Sequence, residues 1–397
     1  MAGGGRWFHF HVNLMACFLL VLNAEALFVN ITYLHTAVSQ GAVCLDGSPP
    51  AYYYAPGNGT GADSWLIYIE GGGWCGNETD CITRATQRYG SSYQMANKTY
   101  FGGLLSEKPN VNPDFYNWNR VYVGYCDGSS FMSDVESVDP KNNLTLRGAR
   151  VFKAVMDDLL SKGMNKAQNV MLSGGSAGGL TAVLHCDNVR SMLPSATRVK
   201  CLSESGFFIS GKYLPGAIQR EQRFADVVDF HKLSKVLPAS CTSRINPHWC
   251  LFPENIVGAM QTPLFIIESM FDSWKIKNDV VPPPPVIGQR TSWDQCLNNT
   301  KSCTTSQLQA MRQYGATSIY TLNKSLTSPT KGTFLHSCYI HGMMQTDRLW
   351  STSPLLNGKS MGRTVGDWFM DRCTEQAIDT TNKYPLQNCL LDIISAN

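Results

Sequence analysis

Gly174, Ser176 and Gly178 form a complete G-x-S-x-G motif, an arrangement in which a serine can be exposed as a nucleophile. Apolar residues precede the motif at 170–172 and a helical pattern follows it, so the serine would lie on a sharp strand-to-helix turn. Glycines on both sides let such a turn close, and the amide of Ala177 would then point toward a developing oxyanion. A chain with 34 glycines can also contain this motif by chance, which leaves a plain glycine turn as the alternative.

Two later residues have the chemistry to activate this serine. Asp272 follows a buried-strand pattern at 262–268, where the acid of a catalytic triad belongs, although a turn or a helix cap also uses aspartate. His341 lies at the end of an apparent strand beside a glycine, whereas His336 lies within that strand and is interpreted as structural. Serine, aspartate and histidine in this order are typical of α/β-hydrolases. We therefore predict that Ser176 is the nucleophile, Asp272 the acid and His341 the base.

A glycine triplet, Gly71–Gly73, ends another buried-strand pattern at 65–70. Backbone amides can approach a substrate closely only where no side chain intervenes, so this loop has the composition of an oxyanion hole. The Trp74-Cys75 pair that follows favours a pinned loop over a flexible turn.

The remaining patterns describe the elements that must position these residues. Strand-like segments occur at 51–54, 121–125 and 199–206, and helical spacing is clearest from Arg147 to Lys162. No linker, repeat or low-complexity segment interrupts the chain. We predict one large α/β domain over residues 27–397, an α/β-hydrolase-like fold with a mostly parallel central sheet flanked by helices.

Residues 1–26 have the pattern of a secretory signal peptide. Arg6 precedes an apolar run at 14–22, and Ala24-Glu25-Ala26 resembles a cleavage site. The run is shorter than the ~20 residues that a membrane span needs, and a signal anchor is the alternative. We expect a secreted, extracellular protein without a stable membrane span.

The cysteine content is consistent with secretion. Loss of Cys17 with the leader leaves 13 of the 14 cysteines, an odd number that predicts at least one thiol outside the intramolecular disulfides. Three pairs are close enough in sequence to close local loops: Cys75/Cys81, Cys241/Cys250 and Cys296/Cys303. Since Cys75/Cys81 has neither C-x-x-C spacing nor a histidine pair, we expect no metal site there.

The formal net charge is +3, without a Lys/Arg block. This balance argues against nucleic acid as a partner and permits weak attraction to an acidic polymer. In a secreted chain, Asn-x-Ser/Thr sequons are candidate glycosylation sites. The candidates are Asn30, Asn58, Asn77, Asn97, Asn143, Asn298 and Asn323.

Several long, ordered blocks resemble the plant pectin acetylesterase family, which is related to the Notum-like carboxylesterases. These blocks are residues 42–52, 70–75, 112–120, 125–128, 173–180, 272–274 and 337–341. The resemblance implies a secreted cell-wall enzyme that deacetylates pectin by a Ser-His-Asp mechanism without a cofactor. Carried over by position, it implies Ser176, Asp272 and His341 as the triad. It also implies that the oxyanion donors are the amides of Gly72, Gly73 and Ala177.

Two departures from the family's pattern occur together. Relatives usually have cysteine at the position of Gly175, and Cys-Gln where this chain has Gly342-Met343. We hypothesise that the two cysteines contact or bridge each other in relatives. We also expect Met343-Met344 to change the rim of the acyl pocket.

Two other functions stay open. A Notum-like esterase would remove a fatty acyl group from a protein and would need a deep apolar pocket. A non-catalytic α/β-hydrolase-fold binding module would usually lack the serine or the histidine. Even for an acetylesterase, the choice of pectin depends on the resemblance, since acetylated xylan or a small ester would suit the same chemistry.

Overall fold

A computed structural model describes residues 27–138, 140–282, 289–326, 328, 330–352, 354–374, 376–382, 384–386 and 389. The predicted signal peptide lies outside the described residues. Strands in the described part form one sheet, in the order β10-β9-β8-β7-β6-β3-β5-β2-β1-β4. Their bounds are β1 Phe28–Tyr33, β2 Ala51–Ala55, β3 Ser64–Ile69, β4 Lys98–Tyr100, β5 Asn119–Val123, β6 Asn169–Gly175, β7 Arg198–Glu204, β8 Leu264–Ser269, β9 Gly332–His336 and β10 Gln376–Ile378.

Neighbouring strands from β10 to β5 pair in parallel, while β2, β1 and β4 complete the sheet through antiparallel pairs. The α-helices of the described chain are α1 Glu78–Ala85, α2 Gly148–Ser161, α3 Ala177–Ser191, α4 Ala217–Phe230, α5 Ala239–Thr242, α6 Ser273–Lys275, α7 Gln289–Asn298, α8 Thr305–Ser325, α9 Asp347–Ser351 and α10 Met361–Phe369. The prediction of a mostly parallel α/β sheet flanked by helices is confirmed.

The core lies on both faces of the sheet because successive side chains of a strand point to opposite sides. Along β3, Ile67 packs in the cluster that includes Leu180 of α3, whereas Leu66 packs in the cluster that includes Phe369 of α10. Strands buried on both faces appear in the sequence as continuous apolar runs, as β3 and β8 do.

The predicted elements agree with the structure at their centres and differ by a few residues at their ends. The helix expected from Arg147 to Lys162 spans Gly148–Ser161, and the strand expected at 121–125 spans Asn119–Val123. Several elements were not predicted, among them the long helix α8 and the short strand β10. β10 has three residues, too few for a recognisable alternation of apolar and polar side chains.

The three cysteine pairs that are close enough in sequence to close local loops do form disulfides, and three further pairs join segments farther apart. The six pairs are Cys44–Cys126, Cys75–Cys81, Cys186–Cys201, Cys241–Cys250, Cys296–Cys303 and Cys338–Cys389. His231 lies 3.8 Å from each sulfur of the Cys75–Cys81 disulfide and 2.9 Å from the carbonyl of Cys75, a neighbour that the sequence did not predict. Cys373 is outside these pairs, and Nζ of Lys359 lies 3.3 Å from its sulfur.

No helix in the described part of the chain is long and apolar enough to cross a membrane. All seven sequon asparagines are exposed to solvent, as glycosylation would require.

Candidate active site

Ser176 lies on the sharp turn between β6 and α3. Its backbone has φ of 57° and ψ of −124°, a conformation that costs energy in a residue with a Cβ. Glycines make the turn possible, because a Cβ on Gly174 would collide with the carbonyl of Gly178. The G-x-S-x-G motif therefore forms the predicted strand-turn-helix elbow, and Ser176 is partly exposed at its tip.

The structure brings the three predicted triad residues together. The Nε2 atom of His341 lies 2.8 Å from Oγ of Ser176, and Nδ1 lies 2.8 and 2.9 Å from the two carboxylate oxygens of Asp272. Asp272 is fully buried after the end of β8, and His341 follows β9. The parallel strands thus carry the three side chains to one edge of the sheet.

Asp272 both orients the histidine and caps a short helix. Its Oδ1 accepts a hydrogen bond from the amide of Lys275 at 2.9 Å. Asp272 is therefore a helix cap, as the sequence allowed, and contacts His341 as well. The ammonium of Lys275 lies 2.6 Å from Glu268 in a buried ion pair. Burial alone would raise the pKa of Asp272, but the nearby His341 and Lys275 outweigh it and hold that pKa below its usual range.

His341 has an environment suited to a general base. Burial works against protonation of the imidazole, but the Asp272 carboxylate outweighs it and raises the pKa of His341 above the ordinary value. The indole of Trp274 stacks on the imidazole with 5.8 Å between ring centroids. His336, by contrast, is buried, and its Nδ1 lies 3.3 Å from the amide of Cys338, as expected of a structural residue.

The glycine loop after β3 lies beside the nucleophile. A Cβ on Gly71 would come within 2.8 Å of Cβ of Ser176, and a Cβ on Gly72 within 2.6 Å of the Tyr89 ring. Gly73 has φ of 66°, a conformation that favours glycine. Only glycines allow this loop to pass so close to Ser176, which is what an oxyanion loop requires.

Several side chains hold the glycine loop in place. Arg84 donates to the carbonyls of Gly72 and Gly73 at 2.9 and 3.4 Å, and the hydroxyl of Tyr125 donates to Gly73 at 2.9 Å. Ser130 accepts a hydrogen bond from the Trp74 indole at 2.8 Å. The pinned loop that the Trp74-Cys75 pair indicated is confirmed.

Ser130 also links this loop to the start of α3, because its hydroxyl donates to the carbonyl of Ala177 at 2.8 Å. The loop at 126–130 borders the site in this way. Asp127 is the turn residue expected from the sequence, since its carboxylate accepts hydrogen bonds from the amides of Ser129 and Phe131.

A cavity of about 400 Å³ opens in front of Ser176 and His341. Its walls carry several polar side chains that sequence reasoning did not single out: Tyr68, Glu70, Arg88, Tyr122 and Glu204. Arg88 forms an ion pair with Glu70, whose carboxylate also accepts a hydrogen bond from the amide of Tyr125 at 3.1 Å. Tyr68, Glu70 and Glu204 could have been found from the sequence, because they lie at or next to the ends of strands that neighbour the elbow.

The two residues after Gly342 differ in their position. Met343 lines the cavity, but Met344 is fully buried in the hydrophobic core and does not line it. The expectation that both methionines shape the rim is therefore wrong for Met344. Its carbonyl accepts a hydrogen bond from the amide of Leu104 at 2.7 Å, and its side chain packs in the same core cluster as Leu104.

A mostly parallel sheet with an elbow at its edge and helices on both faces defines the chain as an α/β-hydrolase. The Wnt deacylase Notum from Drosophila, a solved structure, has this fold with a TM-score of 0.75 at 22% identity. The match covers 91% of this chain and 98% of that one.

The chain belongs to the pectinacetylesterase family, because the family model described as Pectinacetylesterase matches residues 22–390. It is 45% identical to pectin acetylesterase 11 of Arabidopsis thaliana over 93% of this chain and 94% of that one. It is 44% identical to pectin acetylesterase 7 of the same plant, over 92% and 93% of the two chains. The chain is therefore a carboxylic ester hydrolase, and the resemblance found in the sequence is confirmed.

Proposed function

We propose that this protein is a secreted serine esterase that removes acetyl groups from pectin in the cell wall. The observation that carries the proposal is the continuous hydrogen-bonded series Asp272–His341–Ser176, with distances of 2.8 Å at each link, at the mouth of the cavity. The names of the two Arabidopsis relatives support pectin as the substrate, and the six disulfides support an extracellular location.

The first half of the reaction forms an acetyl-enzyme. His341 accepts the proton of Ser176 as Oγ attacks the acetyl carbonyl, and Asp272 stabilises the imidazolium that results. The amides of Gly72, Gly73 and Ala177 donate to the tetrahedral oxyanion. His341 then gives its proton to the sugar oxygen as the C–O bond breaks and the alcohol leaves.

The second half releases acetate. A water molecule loses a proton to His341 and attacks the acetyl carbonyl, and the same amides stabilise the second oxyanion. Ser176 recovers its proton from His341 when acetate leaves. Each step uses only protein groups and water.

The character of the cavity supports a small acyl group over a fatty one. Glu70 and Glu204 are buried carboxylic groups on its walls, and Arg88 forms an ion pair with Glu70. Contact with a long hydrocarbon chain would remove water from Oε2 of Glu204 and from the Arg88–Glu70 ion pair, at a cost of a few kcal/mol. A Notum-like substrate is therefore disfavoured despite the shared fold. A binding module without activity is disfavoured by the complete serine, histidine and aspartate series.

The test measures acetate release from acetylated pectin by the wild type and Ser176→Ala, beside acetylated xylan and a palmitoleoyl ester. We expect the wild type to deacetylate pectin and Ser176→Ala to lose this activity by at least ~10⁴-fold. Turnover of the palmitoleoyl ester alone would replace the proposal with a lipid esterase. Turnover of none of the three would point to a binding module.

A further inference from the structure

Glu204, the last residue of β7, joins the serine and histidine segments of the site. Its carbonyl accepts a hydrogen bond from the amide of Ser176 at 2.8 Å. Its Oε1 accepts from the amide of Met344 at 2.8 Å and also from the amide of Met343. With 2% of its surface exposed, the carboxylate is held in one orientation by the chain that follows His341.

The second carboxylate oxygen, Oε2, is directed to the space beside the nucleophile. Glu204 lines the catalytic cavity with Ser176 and His341. Within the part of the chain that the structure describes, no protein donor forms a hydrogen bond with Oε2. Burial, partly offset by the two methionine amides, raises the pKa of Glu204 to about 7. Because this oxygen is open to the cavity, a hydroxyl donor of a bound substrate can reach it.

Two glycines leave this oxygen uncovered. A Cβ at Gly175 would lie 3.7 Å from Oε2, and a Cβ at Gly342 would lie 3.8 Å from it. A Cβ at either position would therefore be in van der Waals contact with this oxygen.

We propose that Oε2 of Glu204 accepts a hydrogen bond from a free hydroxyl of the sugar whose acetyl ester lies on Ser176. Glu204 is then a specificity-determining residue, and the enzyme selects acetyl esters that have a free hydroxyl as a neighbour. The ligand group is a neutral hydroxyl donor on a polyol ring. This inference rests on the proposed function, because it assumes a sugar ester in the cavity.

Glu204→Gln separates the contact with the substrate from the anchoring role. The amides of Met343 and Met344 need an acceptor at the position of Oε1, so the carbonyl oxygen of the glutamine must lie there. The NH₂ group of the glutamine then takes the position of Oε2, so a hydrogen-bond donor replaces the acceptor there. The anchor to the histidine segment is kept while the proposed contact is reversed.

The experiment compares kcat/KM for an O-acetyl galactopyranoside with a free neighbouring hydroxyl, its deoxy analogue and 4-nitrophenyl acetate. For Glu204→Gln we expect a loss of about 10- to 100-fold on the hydroxylated ester, and a loss at least tenfold smaller on the other two. The wild type should prefer the hydroxylated ester to its deoxy analogue by a similar factor. Equal losses on all three substrates would overturn the inference.

A second variant covers Oε2 without changing Glu204. The hydroxyl of Tyr68 lies 2.5 Å from the position of a Cβ at Gly175, while the next atoms lie at 3.6 and 3.7 Å. Tyr68→Phe removes that hydroxyl, so the double variant Tyr68→Phe/Gly175→Ala can place a methyl group over Oε2. Tyr68→Phe alone is the matched control.

Relative to this control, the double variant should lose activity on the hydroxylated ester at least fivefold more than on 4-nitrophenyl acetate. An equal change on both substrates, at an unchanged melting temperature, would contradict the inference. A wild type that hydrolyses 4-nitrophenyl acetate but none of the sugar esters would overturn the proposed function and this inference together. A wild type that hydrolyses the sugar esters, with no selective loss in Glu204→Gln, would overturn only the inference.

Discussion

The guanidinium of Arg84 donates to the carbonyl of Gly72 at 2.9 Å, so helix α1, which does not line the cavity, holds the glycine loop beside Ser176. Arg84 also donates from Nε to the carbonyl of Tyr89 at 2.9 Å, and its guanidinium lies 5.1 Å from the centre of the Tyr125 ring. Amides that stabilise an oxyanion must be fixed before the charge develops. Arg84 makes the loop rigid by donating hydrogen bonds to its backbone carbonyls.

Replacing Arg84 should therefore impair the chemical step more than binding. For Arg84→Ala we expect kcat to fall by about 10- to 100-fold and KM to change less than threefold. The loss in kcat should be smaller than that caused by removing an oxyanion donor, because the amides remain but are held less firmly. Steady-state kinetics on a soluble acetyl ester measures both. Arg150→Ala is the control, because Arg150 pairs with Asp134 and Glu136 at the surface. A loss confined to KM would contradict this role of Arg84.

The carboxylate of Asp272 can be tested by an isosteric change. Asp272→Asn keeps the shape but removes the charge that favours the productive imidazole tautomer, so we expect kcat to fall by about 10³- to 10⁴-fold. The matched control is Asp229→Asn, since Asp229 also contacts a histidine, His248, at 2.8 Å but is exposed. Similar losses in the two variants would indicate that stability, not the triad, explains the effect.

The dependence of activity on pH follows from His341 and Glu204. His341 must be neutral to act as a base, and its pKa is raised by Asp272 despite the opposing effect of burial. Activity should therefore fall as the pH decreases through a value above the ordinary histidine pKa of about 6.5. Glu204, with a pKa raised by burial to about 7, gains a proton over the same range and weakens as an acceptor.

A pH profile of kcat/KM from pH 5 to 9 measures this acidic limb. In Asp272→Asn the limb should move to lower pH, because the carboxylate that raises the pKa of His341 is gone. A flat wild-type profile between about pH 5 and 8 would exclude His341 as the base.

Two disulfides of different span allow a stability test. Cys44–Cys126 closes a separation of 82 residues, whereas Cys296–Cys303 closes a separation of 7. Since a longer loop loses more entropy in the unfolded chain, Cys44→Ala/Cys126→Ala should cost about 2 kcal/mol more than Cys296→Ala/Cys303→Ala. Denaturant unfolding of the two double variants checks this difference. Equal losses would show that unfolded-state entropy does not dominate.

The reliable predictions from the sequence share a local origin. The G-x-S-x-G elbow, the strands beside it and the helix of residues 148–161 are encoded by residues close to one another, so their pattern is visible without contacts. Helix α8 was equally accessible, because Thr304 and Gln307 form a capping box at its start. Its long polar face obscures the apolar periodicity that identified the helix at 147–162.

Some outcomes needed tertiary contacts. The pairing of Cys338 with Cys389 joins residues 51 positions apart, and the sequence allowed several other partners. Met344 was expected at the pocket rim but is buried in the core, where its carbonyl accepts the amide of Leu104 and its side chain packs in the same cluster as Leu104. A sequence pattern does not contain such long-range hydrogen bonds.

The sequence by itself determined the order of Ser176, Asp272 and His341, the elbow, the glycine loop and the family, because each depends on residue type and near neighbours. Only the tertiary structure decided that Arg84 supports the glycine loop and that Glu204 faces the cavity between Gly175 and Gly342. The physical reason is that these contacts depend on strands from distant parts of the chain meeting at one edge of the sheet. Their side chains become neighbours only when the core has packed.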